Sequence, residues 1–525
     1  MGYNRQPAMN DDERGGLVGH SVAPRLRQAR LAIIGFGCNQ AFLFAMLYLG
    51  SYNEGSQHGF FVDRADLLCV LVAMAATFAL MMRARPRAVL MAGAEKLAAC
   101  LAVPLCAVLF ALVALRAALP GVPWLAFAVI EGVVAGVPLA LLLCLWGRVL
   151  GEVSIDQSVP EVFIGSALGA AVCFLVMAVP VAGAYVVLYA LPVGSAWALR
   201  ALSAVPAGGQ TRPADAAGAQ APRTSGASSV PDAAGAAPSE EAAKLSGRIV
   251  AGTVVYGVAT GAVEALAASA EYSAHASLSV TFALFVLYCV AALQLYGGRP
   301  LSAGVRAVLP GGNGAEVGPL GGAYRLALLL MVGGFVAVPL LESVGVSGVS
   351  VVLAGYLGIF SVLISLFLIM GRIAGRDSVR SFARGFAALF SGEIAGVLLG
   401  GAIGAVPGTF DVSAALVAAA GVAVMYAYLF LFTERDMAAL SVVVAQTDRF
   451  EEACARIVGE AKLSKREAEI LPLALRGRTA ERIAGEFFIS KNTVDTHLRR
   501  IYAKCGVHTR QELIDLAERI EGELS

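Results

Sequence analysis

Apolar runs about as long as a lipid bilayer is thick recur along most of this chain, and they restrict its fold more than any other feature. A backbone inside hydrocarbon must satisfy its own N–H and C=O groups, so such runs become membrane-spanning helices. We place them near residues 31–50, 65–82, 88–115, 124–147, 161–180 and 183–200. After a polar interruption, six more lie near 248–268, 276–297, 324–341, 347–370, 383–407 and 413–432. Twelve spans follow, with a short turn at Ala182-Gly183 between the fifth and sixth. The chain is 58% hydrophobic and 15% charged, whereas soluble domains are nearer half apolar and a quarter charged. A soluble protein with a merely buried helical core does not fit this pattern. Residues 1–30 are polar, and the first apolar run is too long for a signal-peptide core, so no cleavable leader is expected.

Charge orients the body. Arg25, Arg27 and Arg30, then Arg83, Arg85 and Arg87, then Arg148, Arg248, Arg299, Arg306 and Arg325, and finally Arg372, Arg376, Arg380 and Arg384 fall on one side. The other side holds Glu54, Asp63, Asp66, Glu271, Glu342 and Asp411, with Arg64 and Arg116 as its basic residues. Every second loop is basic, which places both termini in the cytoplasm of a bacterial cell. Residues 201–247, with an Ala/Gly/Pro/Ser-rich tract over Ser203–Glu241, cannot build a core and read as a disordered cytoplasmic linker. The body therefore divides into spans over 31–200 and 248–432, six plus six. That layout resembles the major facilitator fold. Arg83-Ala84-Arg85-Pro86-Arg87 lacks the acid and glycines of that family's loop between spans two and three, which counts against a transporter of ordinary type.

The last sixty-odd residues are of another kind. Ser464 with Glu467, and Thr509 with Glu512, have capping-box spacing. Thr479 and Ser490 are N-cap residues, and Gly477 and Gly506 stand where the first and third helices should stop. Pro472 removes a backbone donor inside the first helix and should kink it. The middle helices, Thr479 to Phe487 and Lys491 to Cys505, are joined by Phe488-Ile489-Ser490, which is helix-turn-helix architecture. Val494, Leu498, Ile501 and Cys505 form a buried stripe on the third helix, opposite Asn492, Thr496, Arg499 and Ala503. Lys491, Arg499, Arg500 and Lys504 oppose the single acid Asp495, leaving a cationic surface suited to phosphate and to the major groove. A solvated surface helix of any small bundle carries the same composition. Ahead of the module, residues 433–461 show Phe450, Cys454, Ile457 and Val458 at helical spacing, so a connecting helix is expected, and Ala438 to Ala445 could prolong the last span.

Leu463-Ser464-Lys465-Arg466-Glu467-Ala468-Glu469-Ile470-Leu471, Ile483-Ala484, Ile489-Ser490, Thr493-Val494, His497-Leu498, Ile501-Tyr502, Gly506-Val507 and Thr509-Arg510-Gln511-Glu512-Leu513-Ile514 closely resemble the LuxR-type helix-turn-helix family. The resemblance implies a four-helix domain over 462–525 whose third helix enters the major groove of double-stranded DNA. It also implies a fourth helix that pairs two modules into a homodimer on an inverted repeat. Carried over, Thr496 and Arg499 face bases, with Lys491, Thr493, Arg500 and Lys504 near phosphates; Asn492 and Asp495 complete the exposed set. Asp495 stands where the family commonly has lysine, and Ala480-Glu481 replaces a usual Asn-Lys pair. Both departures bear on affinity and preferred sequence.

Polar side chains inside lipid are costly and therefore informative. Glu131, Glu264 and Glu393 lie within apolar runs, as do Asn39 and Gln40 in the first. They form a candidate ligand cavity for an unknown small molecule; the competing reading is protonated or paired side chains that hold helices together. Glu95-Lys96, at the start of the third span, reads as snorkelling or pairing locally, and glycine pairs such as Gly257/Gly261 and Gly396/Gly400 read as sites of close helix packing. The nine cysteines are dispersed and the histidines isolated, so no metal, cofactor or catalytic site is expected. The expectation is an all-α chain: a polytopic helical bundle carrying a DNA-binding module, similar in order to membrane-bound LuxR-family regulators. The alternative is a major-facilitator-like transporter with a regulatory DNA-binding tail.

Overall fold

The computed structural model describes residues 11–49, 65–83, 93–119, 123–204, 240–269, 274–296, 319–343, 348–373, 378–404, 412–431, 449–450, 452–487 and 489–523. Among them every regular element is helical. By its internal contacts the chain divides into two compact units, one within Met1–Ala204 and Pro238–Ala439 and one that takes in Leu440–Ser525.

In the first unit the helices are α1 (Asp11–Phe44, continued by a π-helical turn, Ala45–Leu49), α2 (Ala65–Met81), α3 (Ala94–Ala118), α4 (Trp124–Gly151), α5 (Ile155–Val176) and α6 (Val181–Ala204). Then come α7 (Glu240–Ser269), α8 (Ala274–Tyr296), α9 (Pro319–Ser343), α10 (Gly348–Ile373), α11 (Ser378–Gly404) and α12 (Val412–Tyr426, continued by a π-helical turn, Ala427–Leu431). Among the described residues eight of these helices are long and apolar enough to cross a membrane. The expected count of twelve is not reached by that measure. Asp66–Met81, Leu320–Val336 and Ala418–Phe430 are apolar but only 10–17 residues long, and α7 is not among the eight. The break between α5 and α6 lies at residues 177–180, before the anticipated Ala182-Gly183 turn, and α1 starts well ahead of residue 31. Residues 205–239, 84–92 and 432–448, which hold most of the linker, the Arg85/Arg87 loop and the Ala438–Ala445 extension, lie outside the described residues.

Small residues set the closest packing. A Cβ added at Gly257 would lie 2.8 Å from Glu393 N, and one at Gly261 would overlap the Glu393 carbonyl oxygen. In return, a Cβ at Gly396 would lie 2.8 Å from Ala262 N. The backbones of α7 and α11 therefore touch, as small-residue pairs allow between membrane helices. Aromatic rings join the two sets of six: Phe44 meets Phe285 edge-on at 5.9 Å, and Phe78 stacks on Phe390 at 6.0 Å. Glu95 pairs across helices with Arg148 at 3.5 Å. Arg248 Nη2 donates to the Phe430 carbonyl at 3.0 Å, tying the start of α7 to the end of the last helix.

The second unit has its own core. Residues 452–460 form α13, followed by α14 (Lys465–Leu475), α15 (Ala480–Phe487), α16 (Lys491–Cys505) and α17 (Arg510–Glu523). Ile470, Leu471, Ile483, Val494, Ile501, Leu513 and Ile520 are buried together with Ala453, Cys454 and Ile457 of α13. The connecting helix is thus a fifth member of the bundle, fastened at its polar edge by Arg456 to Glu523 at 2.9 Å. α14 runs through Pro472 to Leu475 without ending there. The expected caps form: Ser464 with Glu467 as a full capping box, Thr479 under the Arg482 N–H at 3.3 Å, and Ser490 under the Thr493 N–H at 3.1 Å. At the fourth helix the box is displaced by one residue. Thr509 Oγ1 accepts from the Glu512 N–H at 3.2 Å, but the Glu512 carboxylate accepts from the His508 N–H at 2.8 Å. Gly477 and Gly506 take φ of 77° and 68°, a left-handed geometry that costs glycine little.

Candidate nucleic-acid interface and buried polar groups

α16 presents one apolar and one polar face. Val494, Leu498 and Ile501 are buried and Cys505 packs on the same core. Lys491, Asn492, Thr493, Thr496, Arg499, Arg500 and Lys504 are exposed, and Asp495 is half-buried. Every residue expected to meet DNA therefore lies outside the core, although the residues differ in what already engages them.

Lys504 Nζ binds Glu467 Oε2 at 2.6 Å and the Lys462 carbonyl at 3.3 Å. Glu467 has only 2% of its side chain exposed, and the same Oε2 accepts from the Ser464 backbone N–H at 2.8 Å. Burial pushes this carboxyl up; the hydrogen bonds from Lys504 and Ser464, with the lysine charge, outweigh it and hold it down at about 2. Lys491 pairs with Glu481 of α15, whose hydrogen bond and charge raise the lysine and lower the acid. Arg499 and Arg500 make no hydrogen bond or ion pair among the described residues. Thr493 Oγ1 meets Ser490 Oγ at 2.8 Å, and Thr496 Oγ1 donates to the Asn492 carbonyl at 2.8 Å. Thr496 thus offers a methyl group and acceptor lone pairs, while Arg499 offers a free guanidinium able to fork onto a guanine edge.

Outside the family resemblance residue order assigns Arg510 no role, yet it links the bundle. Its guanidinium donates to the Ala474 carbonyl at 2.6 Å and to the Arg478 carbonyl at 2.6 Å, satisfying acceptors at the end of α14. Arg466 lies over the Phe487 ring at 4.4 Å and bonds Glu469 at 2.7 Å, which holds α15 against α14.

In the membrane body the five expected polar residues fall into three groups. Glu393 is fully buried and accepts from Tyr356 Oη at 3.1 Å. Glu264 and Tyr48 lie within electrostatic reach of the same Tyr356 hydroxyl. Glu131 belongs elsewhere: Tyr189 Oη donates to it at 2.6 Å, with Asp66 and Arg116 as its charged neighbours. Asn39 and Gln40 are 1% and 0% exposed, and their carboxamides find no hydrogen-bond partner among the described residues. Tyr356 and Tyr189 carry no spacing signal in the sequence, since a tyrosine in an apolar run reads as core. Among the described residues no group of three His, Cys, Asp or Glu side chains is placed to hold a metal ion.

A family profile described as GerE, bacterial regulatory proteins of the luxR family, matches residues 461–517. The HTH-type transcriptional regulators MalT of Yersinia enterocolitica and of Serratia proteamaculans are each 34% identical over 64 residues. That stretch is 12% of this chain and spans 7% of the length of either regulator. The human organic anion transporter MFSD10 (TETRAN) aligns over 80% of each chain at 14% identity with a TM-score of 0.29, too low to assign the membrane body to that fold. The C-terminal unit is a LuxR/GerE-type helix-turn-helix domain, and the same chain carries several membrane-length apolar helices.

Proposed function

We propose that this protein is a one-component transcriptional regulator of the bacterial cell membrane. Its membrane body responds to a small molecule or a membrane condition, and its C-terminal module binds promoter DNA as a homodimer on an inverted repeat. The observation that carries the reading is the union, in one chain, of membrane-length apolar helices with a helix-turn-helix whose third helix holds Thr496, Arg499 and Arg500 outside its core. Twelve spans in two sets of six, with both termini cytoplasmic, are supported by the alternation of basic and acidic loops and by a helix in each of the twelve expected segments. No catalytic step is required. A ligand acts by favouring one of two arrangements of the body, and it shifts the equilibrium only as far as its affinities for the two differ. Residues 433–461 then carry that change to the presentation of two modules.

The test is selection from random duplex DNA by a 434–525 fragment, beside Thr496→Ala and Arg499→Ala versions. Enrichment of an inverted repeat that both substitutions degrade supports a sequence-specific regulator. Binding without any motif, together with measurable solute flux by the full chain in proteoliposomes, would transfer the weight to a transporter with a regulatory tail.

A further inference from the structure

We propose that Glu481 limits DNA binding by occupying Lys491 and so withholding that cation from phosphate. The inference rests on the DNA-binding reading above and adds a residue that sets its strength. Lys491 is the first residue of α16 and Glu481 the second of α15, and their side chains form an ion pair that bridges the two helices of the motif. Both are well exposed, 54% and 60%, so the pair adds little to stability, unlike the buried Glu467 beneath Lys504. Asp495, one helical turn after Lys491, brings a second carboxylate toward the same lysine.

The position of this acid gives it consequence. In a helix-turn-helix the first helix crosses the DNA backbone and the second enters the groove N-terminus first. Lys491 and Glu481 both lie in first helical turns, where exposed backbone N–H groups favour an anion. Here the anion is already supplied by the protein. A phosphate approaching Lys491 must displace Glu481 and then lie beside its charge. Arg499 and Arg500, which have no such partner among the described residues, are left as the unopposed cations of α16.

The experiment measures binding of the full chain, in lipid nanodiscs, to a mixed-sequence duplex by fluorescence anisotropy across about 50 to 200 mM salt. Each neutralised phosphate steepens the log–log salt slope by about 0.9, so Glu481→Gln steepens it by about that amount per engaged module and tightens binding up to about eightfold near 0.1 M. Lys491→Gln abolishes the gain in the Glu481→Gln background, so that the double variant binds no better than Lys491→Gln alone, a non-additivity that a merely structural role would not produce. An unchanged slope in Glu481→Gln, or an equal loss from Lys491→Gln in both backgrounds, overturns the proposal. Arg499→Ala separates the two levels of inference. If it weakens binding while Glu481→Gln does nothing, only the role of Glu481 fails; if even the wild type does not bind, the DNA-binding reading fails with it.

Discussion

Glu467 and Lys504 meet at 2.6 Å on the carboxylate oxygen that also caps α14 through the Ser464 N–H at 2.8 Å. One buried acid thus caps the start of one helix and anchors the far end of another, 37 residues on. A lysine of α16 is thereby engaged within the bundle.

Removing that acid should loosen the module. Glu467→Gln keeps the shape, loses the charge-assisted bonds and should cost about 2 kcal/mol in urea unfolding of the 434–525 fragment. The same carboxyl predicts an acid limit. Its folded value of about 2 lies below its ordinary 4.5, so its contribution is complete above about pH 4.5 and is lost as pH falls toward 2. A fragment equally stable at pH 5 and 2.5 would contradict this.

Arg510 should matter as a fork, beyond its charge. Arg510→Ala removes the guanidinium from the Ala474 and Arg478 carbonyls, leaving Ala474 with the Gly477 N–H at 3.1 Å, and should lower stability by about 1–3 kcal/mol. Arg510→Lys should recover only part of that, because an ammonium cannot reproduce two planar donors. Full recovery by lysine in thermal melts would count against the fork.

At the nucleic-acid face, Arg499→Ala should cost about 1–3 kcal/mol on a selected site and relax the preference at one base pair per half-site. Thr496→Ala should cost less, since its hydroxyl already donates to Asn492. Competition binding against single-base variants of the site reads both effects.

The acids within the membrane helices should behave as two groups. Glu393→Gln and Tyr356→Phe should be strongly non-additive in signal-dependent transcription, as should Glu131→Gln and Tyr189→Phe, while cycles across the two groups should be additive. If Glu131→Gln, Glu264→Gln and Glu393→Gln all leave that response intact, none of them belongs to a sensing site.

Close packing of α7 on α11 gives a prediction for the body. Gly261→Leu forces a side chain into the Glu393 backbone, and the two helices cannot part without losing their other contacts. The purified full chain should melt at a clearly lower temperature, whereas Gly333→Leu, with open space around its Cβ position, should be tolerated.

Much of this protein is legible in residue order alone, because the rules involved are local. Bilayer-length apolar runs, the Ser464/Glu467 box, the Thr479 and Ser490 caps, the left-handed glycines and the Val494/Leu498/Ile501 stripe depend on neighbours within a few residues. The box, the caps, the glycines and the stripe reappear where expected. Span number is less directly legible: eight helices qualify among the described residues, and the ends of apolar runs have no sharp chemical mark. The partnerships were invisible for a different reason. Lys504 with Glu467, Lys491 with Glu481, Arg510 with Ala474, and Tyr356 with Glu393 join residues 10 to 37 positions apart on different helices. No periodicity encodes such pairs. Whether a lysine is free for phosphate or already held, and whether two buried acids share a neighbour, depends on how helices pack, and that is settled by the whole core at once.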